Sequence, residues 1–148
     1  MQTPNNILRF NEITGFMLAH LYKVFPVKKS FELSKLFPEA KIDSENFSFN
    51  SATNIVNKEA TFVSDTIIWL IESGYMSGVV KNLHSIENAV LTAKGLELLK
   101  LSPDSLCGAS FGDELIKATK SGVKEVITNV ASQVLTSGIT LLYKTIIK

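Results

Sequence analysis

Proline and glycine cut this chain into short apolar segments, and their spacing limits the fold more than any other feature. Pro26, Pro38 and Pro103 each disfavour helix at the residue before them. Gly74 offers the left-handed turn that ends a helix without the cost of a Cβ. Between these breaks the apolar residues recur at steps of three and four. Phe10, Ile13, Met17, Leu21 and Val24 define one face of a helix over Asn6 to Phe25. Ser30 can cap a second, short helix that reaches Phe37 and stops at Pro38. A third helix fits Lys58 to Ser73. It carries Phe62, Thr66, Trp69 and Leu70 on one side, with Val63, Ile67 and Ile68 nearby.

The pattern then changes. Tyr75 to Val80 reads as a strand, Lys81 to Asn88 as a polar turn, and Ala89-Val90-Leu91 as a second short strand. Thr92 can cap a helix that runs to Lys100 before Pro103. Lys41 to Asn57 is rich in Asn and Ser and reads as a long loop, in which Asp43 and Glu45 are solvated neighbours. Ser102 to Gly112 reads as a linker. From Gly112 onward one helix of about 35 residues is expected, roughly 50 Å long if straight. The expected organisation is a domain over residues 1–101, a linker over 102–112 and a docking or oligomerisation helix over 113–148. Truncation after Gly112 is then expected to leave a soluble monomer.

One piece carries a resemblance. Leu70-Ile71-Glu72-Ser73-Gly74-Tyr75-Met76, a polar stretch, and then Val90-Leu91-Thr92-Ala93-Lys94-Gly95-Leu96-Glu97-Leu98-Leu99 resembles the winged helix-turn-helix superfamily. In that pattern the third helix ends at Gly-Tyr, a hairpin follows, and an LTxKG sequence starts the next helix. The resemblance covers Asn6 to Lys100, and the added C-terminal helix is similar to the layout of the PadR group. It implies a mainly α fold with a small β-hairpin wing, a winged helix-turn-helix followed by a long C-terminal amphipathic helix. It also implies a third helix able to enter the major groove and a terminal helix that dimerises.

Charge bears on that implication. The net charge is only +1, so no global field favours nucleic acid. Residues 41–76 hold two basic side chains (Lys41, Lys58) against five acidic (Asp43, Glu45, Glu59, Asp65, Glu72). If DNA is bound, Asn57, Lys58, Thr61 and Ser64 on the third helix and Lys81 and His84 on the wing are the expected contacts. The carboxylates at 59, 65 and 72 oppose phosphate. Protein contact is therefore the leading expectation for that helix, and duplex DNA the alternative.

The C-terminal segment carries two apolar stripes. Ile116, Val123, Ile127, Val130, Val134 and Leu141 form the first. Leu135, Ile139, Leu142 and Ile146 form the second, rotated roughly 120° from it, with the change at Ser137-Gly138. Two stripes suggest two surfaces, one for the domain and one for a partner protein or a second copy. Other readings are a single wide groove, a break at Gly138, or an amphipathic helix on a membrane surface, with Lys117, Lys120, Lys124, Lys144 and Lys148 beside it. Val126 to Tyr143 has no charge over 18 residues, but its Ser, Thr, Asn and Gln make it too polar for a membrane span.

No chemistry-bearing motif appears. His20, His84 and Cys107 lack metal-ligand spacing, so no metal or cofactor is expected. Cys107 has no adjacent base, and His20 reads as a histidine at the edge of the core. No phosphate loop or dinucleotide fingerprint is present, and no small-molecule substrate is evident. One cysteine excludes an intramolecular disulfide, and the first residues lack a basic and then apolar leader pattern. A cytoplasmic, non-enzymatic regulator or adaptor is the expectation.

Overall fold

A computed structural model of the chain describes residues 4–37, 58–81, 85–102 and 108–147, with only the backbone of Ser34, Lys58 and 141–147. The elements run α1 (Asn5–Val24), β1 (Lys29–Glu32), α2 (Leu33–Leu36), α3 (Lys58–Glu72), β2 (Met76–Lys81), β3 (Ser85–Leu91), α4 (Ala93–Lys100), α5 (Phe111–Ser121) and α6 (Lys124–Ile147). The fold is mainly helical with one small antiparallel sheet, in the order β1-β3-β2. The expected loop over 41–57 lies outside the described residues.

α1 ends before Pro26, which disfavours helix at the residue before it, and packs on α3, β3, α4, α5 and α6. Its face of Ile13, Met17 and Leu21 is fully buried. Its opposite side is covered too. Asn11, Glu12, Thr14, Gly15 and Ala19 are buried, and a Cβ on Gly15 would sit 2.6 Å from Ile127 of α6. A helix covered on both sides is an internal wall.

β1 corrects the expected helix over Ser30–Phe37. Lys29-Ser30-Phe31-Glu32 pairs with β3, and only the four residues Leu33–Leu36 are helical. Ser30 therefore caps no helix; its hydroxyl accepts the Asn88 N–H at 3.3 Å. The strand offers one apolar residue and two charged ones, suited to a sheet edge and invisible to an alternation test.

β3 starts at Ser85, earlier than expected. Both its neighbours slip register beside Asn88, between Lys29 and Phe31 on one side and between Ser77 and Val79 on the other. Asn88 has φ 57°, the left-handed region that Asn tolerates best among residues with a Cβ. The bulge changes the phase of the strand, so Ile86, Ala89 and Leu91 all face the core. Val79 is exposed, while Met76 and Val80 turn toward the core.

The Gly-Tyr and LTxKG sequences meet. Gly74, at φ 85°, donates its N–H to Ile71 O at 3.1 Å, and Tyr75 donates to Leu70 O at 3.0 Å. This pair of bonds closes α3. Thr92 caps α4 by accepting the Gly95 N–H at 3.1 Å, and its own hydroxyl donates to Gly74 O. Lys94 Nζ donates to Ser73 O at 3.0 Å and lies 4.4 Å from the centre of the Tyr75 ring. A Cβ at Gly95 would stand 2.1 Å from Tyr75 O, so α4 can rest against β2 only through a glycine.

The expected single helix over 113–148 is two helices. Ser110 caps α5 by accepting the Asp113 N–H at 3.1 Å. Gly122, at φ 74°, ends it with its N–H donated to Ala118 O at 3.0 Å. α6 then folds back on α1 and continues without a break through Gly138. Phe111, Leu115, Val130 and Val134 belong to the same buried cluster as Ile13 and Leu70. Gly112, expected in a linker, is buried against the Tyr22 ring.

Two glycine substitutions should separate packing from turn geometry. Gly95→Ala forces a methyl into a backbone carbonyl and should cost about 3 kcal/mol or more in denaturant unfolding. Gly122→Ala meets nothing within 4 Å and should cost only about 1–2 kcal/mol, from its left-handed φ.

Candidate interaction faces

The outer face of α3 is acidic and aromatic. Asp65 and Glu72 are exposed, and Trp69 is 43% exposed. Trp69 meets Phe10 edge to face at 5.1 Å and stacks on Tyr75 at 6.0 Å. Exposed Ile7 and Leu8 at the start of α1 lie on the same helix as Phe10. A shallow groove of about 330 Å³ runs between the two helices, with Ile7, Phe62, Asp65 and Trp69 in its walls. Trp69, expected on one side of its helix with Phe62, Thr66 and Leu70, stands at the exposed edge of that side, held by its aromatic contacts.

An ion-pair chain ties this region to α6. Arg9 Nε lies 2.6 Å from Glu59, and Arg9 also pairs with Glu12 at 3.1 Å. Glu12 in turn meets Lys124 at 3.6 Å. Glu59 is thus held by α1. Burial favours a lower pKa for Arg9, but bonds to Glu59 and Glu12 hold it above the ordinary value.

Of the residues named as DNA contacts, the side chains of Thr61, Ser64 and Lys81 are described, and the first two face inward. Ser64 is 0% exposed, and its hydroxyl, like that of Thr61, is shielded and has no hydrogen-bond partner among the described residues. Helical geometry places Ser64 one residue from Val63 on the buried side, so neither hydroxyl is offered to a duplex. Lys81 is exposed, with Glu87 4.0 Å from it. The Lys58 backbone starts α3; its side chain, Asn57 and His84 lie outside the described residues.

The first apolar stripe faces the chain's own core. Ile127, Val130 and Val134 are buried, and Ile116 on α5 and Leu135 on α6 pack partly against the same cluster. These five pack internally and are not offered to a partner, so the first stripe is the one of the two that faces the domain. Val123 is exposed, and Ile139 is 69% exposed. The side chains of Leu141, Leu142 and Ile146 lie outside the described residues. Between Val126 and Ile139 the outer face of α6 presents Asn129, Ser132, Gln133 and Thr136, with no charge. Over 126–139 that uncharged strip is the outward face of α6.

Among the described residues, no group of three His, Cys, Asp or Glu could hold a metal, and no helix is long and apolar enough to cross a membrane. Cys107, Asp43 and Glu45 lie outside the described residues. His20 stands at the core edge, its ring 4.7 Å from Phe31 and perpendicular to it. Burial first, then Lys23 and Lys29, lower its pKa below the ordinary histidine value. No protein-family model, curated protein or solved structure matches the chain.

Arg9→Ala leaves Glu12 and Glu59 without their shared cation and should destabilise the fold by about 1–3 kcal/mol in urea unfolding. Lys124→Ala removes one exposed partner and should cost less than about 1 kcal/mol. His20 stays neutral in the fold at a pH where the unfolded chain takes up its proton. Stability should therefore decline as pH falls from the ordinary histidine range through the lowered value, and His20→Gln should flatten that slope.

Proposed function

We propose that this chain is a non-catalytic winged-helix protein, a regulatory or adaptor subunit that acts by protein contact and self-associates through the outer face of α6. The element order and the central place of β3 support the winged-helix reading. So does the way the Gly-Tyr and LTxKG sequences fit together. The observation that carries the functional reading is the outward face of α3. A helix that reads DNA presents cations and amides to the groove, whereas this one presents Asp65, Trp69 and Glu72. Carboxylates there repel phosphate, and an exposed indole in a groove shared with Ile7 and Phe10 suits an apolar protein partner. A single cysteine fits a cytoplasmic location.

The uncharged strip on α6 supports self-association, since interface cores are depleted in charge. A membrane-surface role has less support, because the apolar residues Ile127, Val130 and Val134 are turned inward. DNA binding stays as the second reading on the strength of Lys81, exposed at the end of β2 next to the wing.

Light scattering at low salt, with and without a short mixed-sequence duplex, tests both parts. The expected mass is a multiple of 16.3 kDa, unchanged by the duplex. Val126→Lys with Ile139→Lys should return it to the monomer with an unaltered circular dichroism spectrum. A wild-type monomer would remove the self-association, and a duplex complex that dissociates as salt rises would replace protein contact with DNA binding.

A further inference from the structure

The two ends of α1 treat charge differently. At the N-terminal end, Arg9 and Lys124 meet Glu12 and Glu59 at 2.6–3.6 Å. At the C-terminal end, cations gather around a cleft that α1, α2 and α5 enclose. His20, Lys23, Lys35 and Lys120 line its rim, and Phe16 and Ile116 its floor, around a cavity of about 260 Å³. An adjoining hollow of about 460 Å³ shares His20, Lys35 and Leu36 and adds Phe31 and Glu32. Among the described residues, Glu32 is the only carboxylate lining either space. It lies 3.6 Å from Lys35, with both side chains mostly in water, where such a pair contributes little. Lys23 and Lys120 have no ion pair among the described residues.

We infer that this cleft binds a small organic anion, a carboxylate or phosphate carried on a short apolar body. Clustered cations repel one another, and an apolar floor focuses their field into the cleft. An anion that enters relieves the repulsion, while its apolar part covers Phe16 and Ile116. A concave, mostly apolar site with a few convergent polar groups is the usual form of a small-ligand pocket. His20 has its ring against Phe31 and lines the cleft together with the lysines, so it can hydrogen-bond the head group. The causes that lower its pKa, burial and the charges of Lys23 and Lys29, are opposed by a bound anion. The residues come from sequence positions 16 to 120, and no local motif links them. The inference stands apart from the protein contacts proposed above, whose faces lie on α3 and the outer side of α6.

Octanoate is the probe, followed by NMR of the His20 ring and by calorimetry, with octanamide as its neutral counterpart. Octanoate should perturb the His20 resonances and raise the His20 pKa by about one pH unit, as a carboxylate within a few ångströms does. Octanamide should bind at least about tenfold more weakly, the loss of one charge-assisted contact. Lys23→Gln with Lys120→Gln, both exposed, should weaken octanoate about tenfold with an unchanged unfolding midpoint. Equal binding of octanamide, an unperturbed His20, or undiminished affinity in the double variant would overturn the inference. Inorganic phosphate binding as tightly as octanoate would overturn the apolar part of the ligand. Perturbation of His20 by duplex DNA and not by octanoate would assign the cleft to nucleic acid and overturn it as well.

Discussion

The structure depends on α1 being covered on both sides. Ile13, Met17 and Leu21 close the core against α3 and the sheet, while Gly15 and Ala19 let α5 and α6 approach the back of the same helix. Burial of apolar surface contributes roughly 25 cal/mol per Å², and a helix buried on both sides collects it twice. That arrangement places α3, β3, α4, α5 and α6 around one helix. Over 126–139, α6 turns Ile127, Val130 and Val134 inward and leaves Val126, Ile139 and a row of uncharged polar side chains outside. The ion pairs from Glu59 through Arg9 and Glu12 to Lys124 cross the same wall, so α3 and α6 are coupled through α1.

Tyr75 joins the two halves a second time. Its backbone ends α3 and receives α4, its ring lies under Trp69 and Lys94, and its hydroxyl is so close to Gly138 that a Cβ there would be 2.5 Å away. The residues that carry the family resemblance are therefore joints of the fold. Thr92, Lys94 and Gly95 bond to or touch the end of α3 and the start of β2. They report how the chain turns and say nothing about what it binds, which is why function must be sought on the outward faces.

Much of this was legible in the sequence. The step-three and step-four rows placed α1 and α3 within a residue or two, and the Thr92 cap fixed the start of α4. β1 was hidden because an edge strand with one apolar residue has no alternation to read. The first half of β3 was hidden because the bulge at Asn88 breaks the period on which a strand is recognised. The break at Gly122 was masked by the continuing apolar steps from Ile116 to Ile127, which a helix-turn-helix satisfies as well as one straight helix. The candidate sites fared unevenly for the same reason. Periodicity shows that a residue lies on a stripe but not which stripe faces the core, so Ile127, Val130 and Val134 looked available to a partner. Ser64 looked available to DNA because its side chain is polar, although its place on the helix is internal. The cationic cleft was not legible at all, since contact between α1 and α5 depends on the turn at Gly122 and on the close fit of Gly112 to Tyr22.

The central claim is that the C-terminal helices belong to one core with the rest of the chain. The most direct measurement is thermal and urea unfolding of a chain that ends at Ser110, with amide exchange along α1. Without α5 and α6, one side of α1 is bared, and the shortened chain should show no cooperative transition and no lasting protection at Ile13, Met17 or Leu18. A soluble shortened chain that unfolds cooperatively, with those amides protected as in the full chain, would contradict the single core and restore the picture of a separate domain with an appended arm.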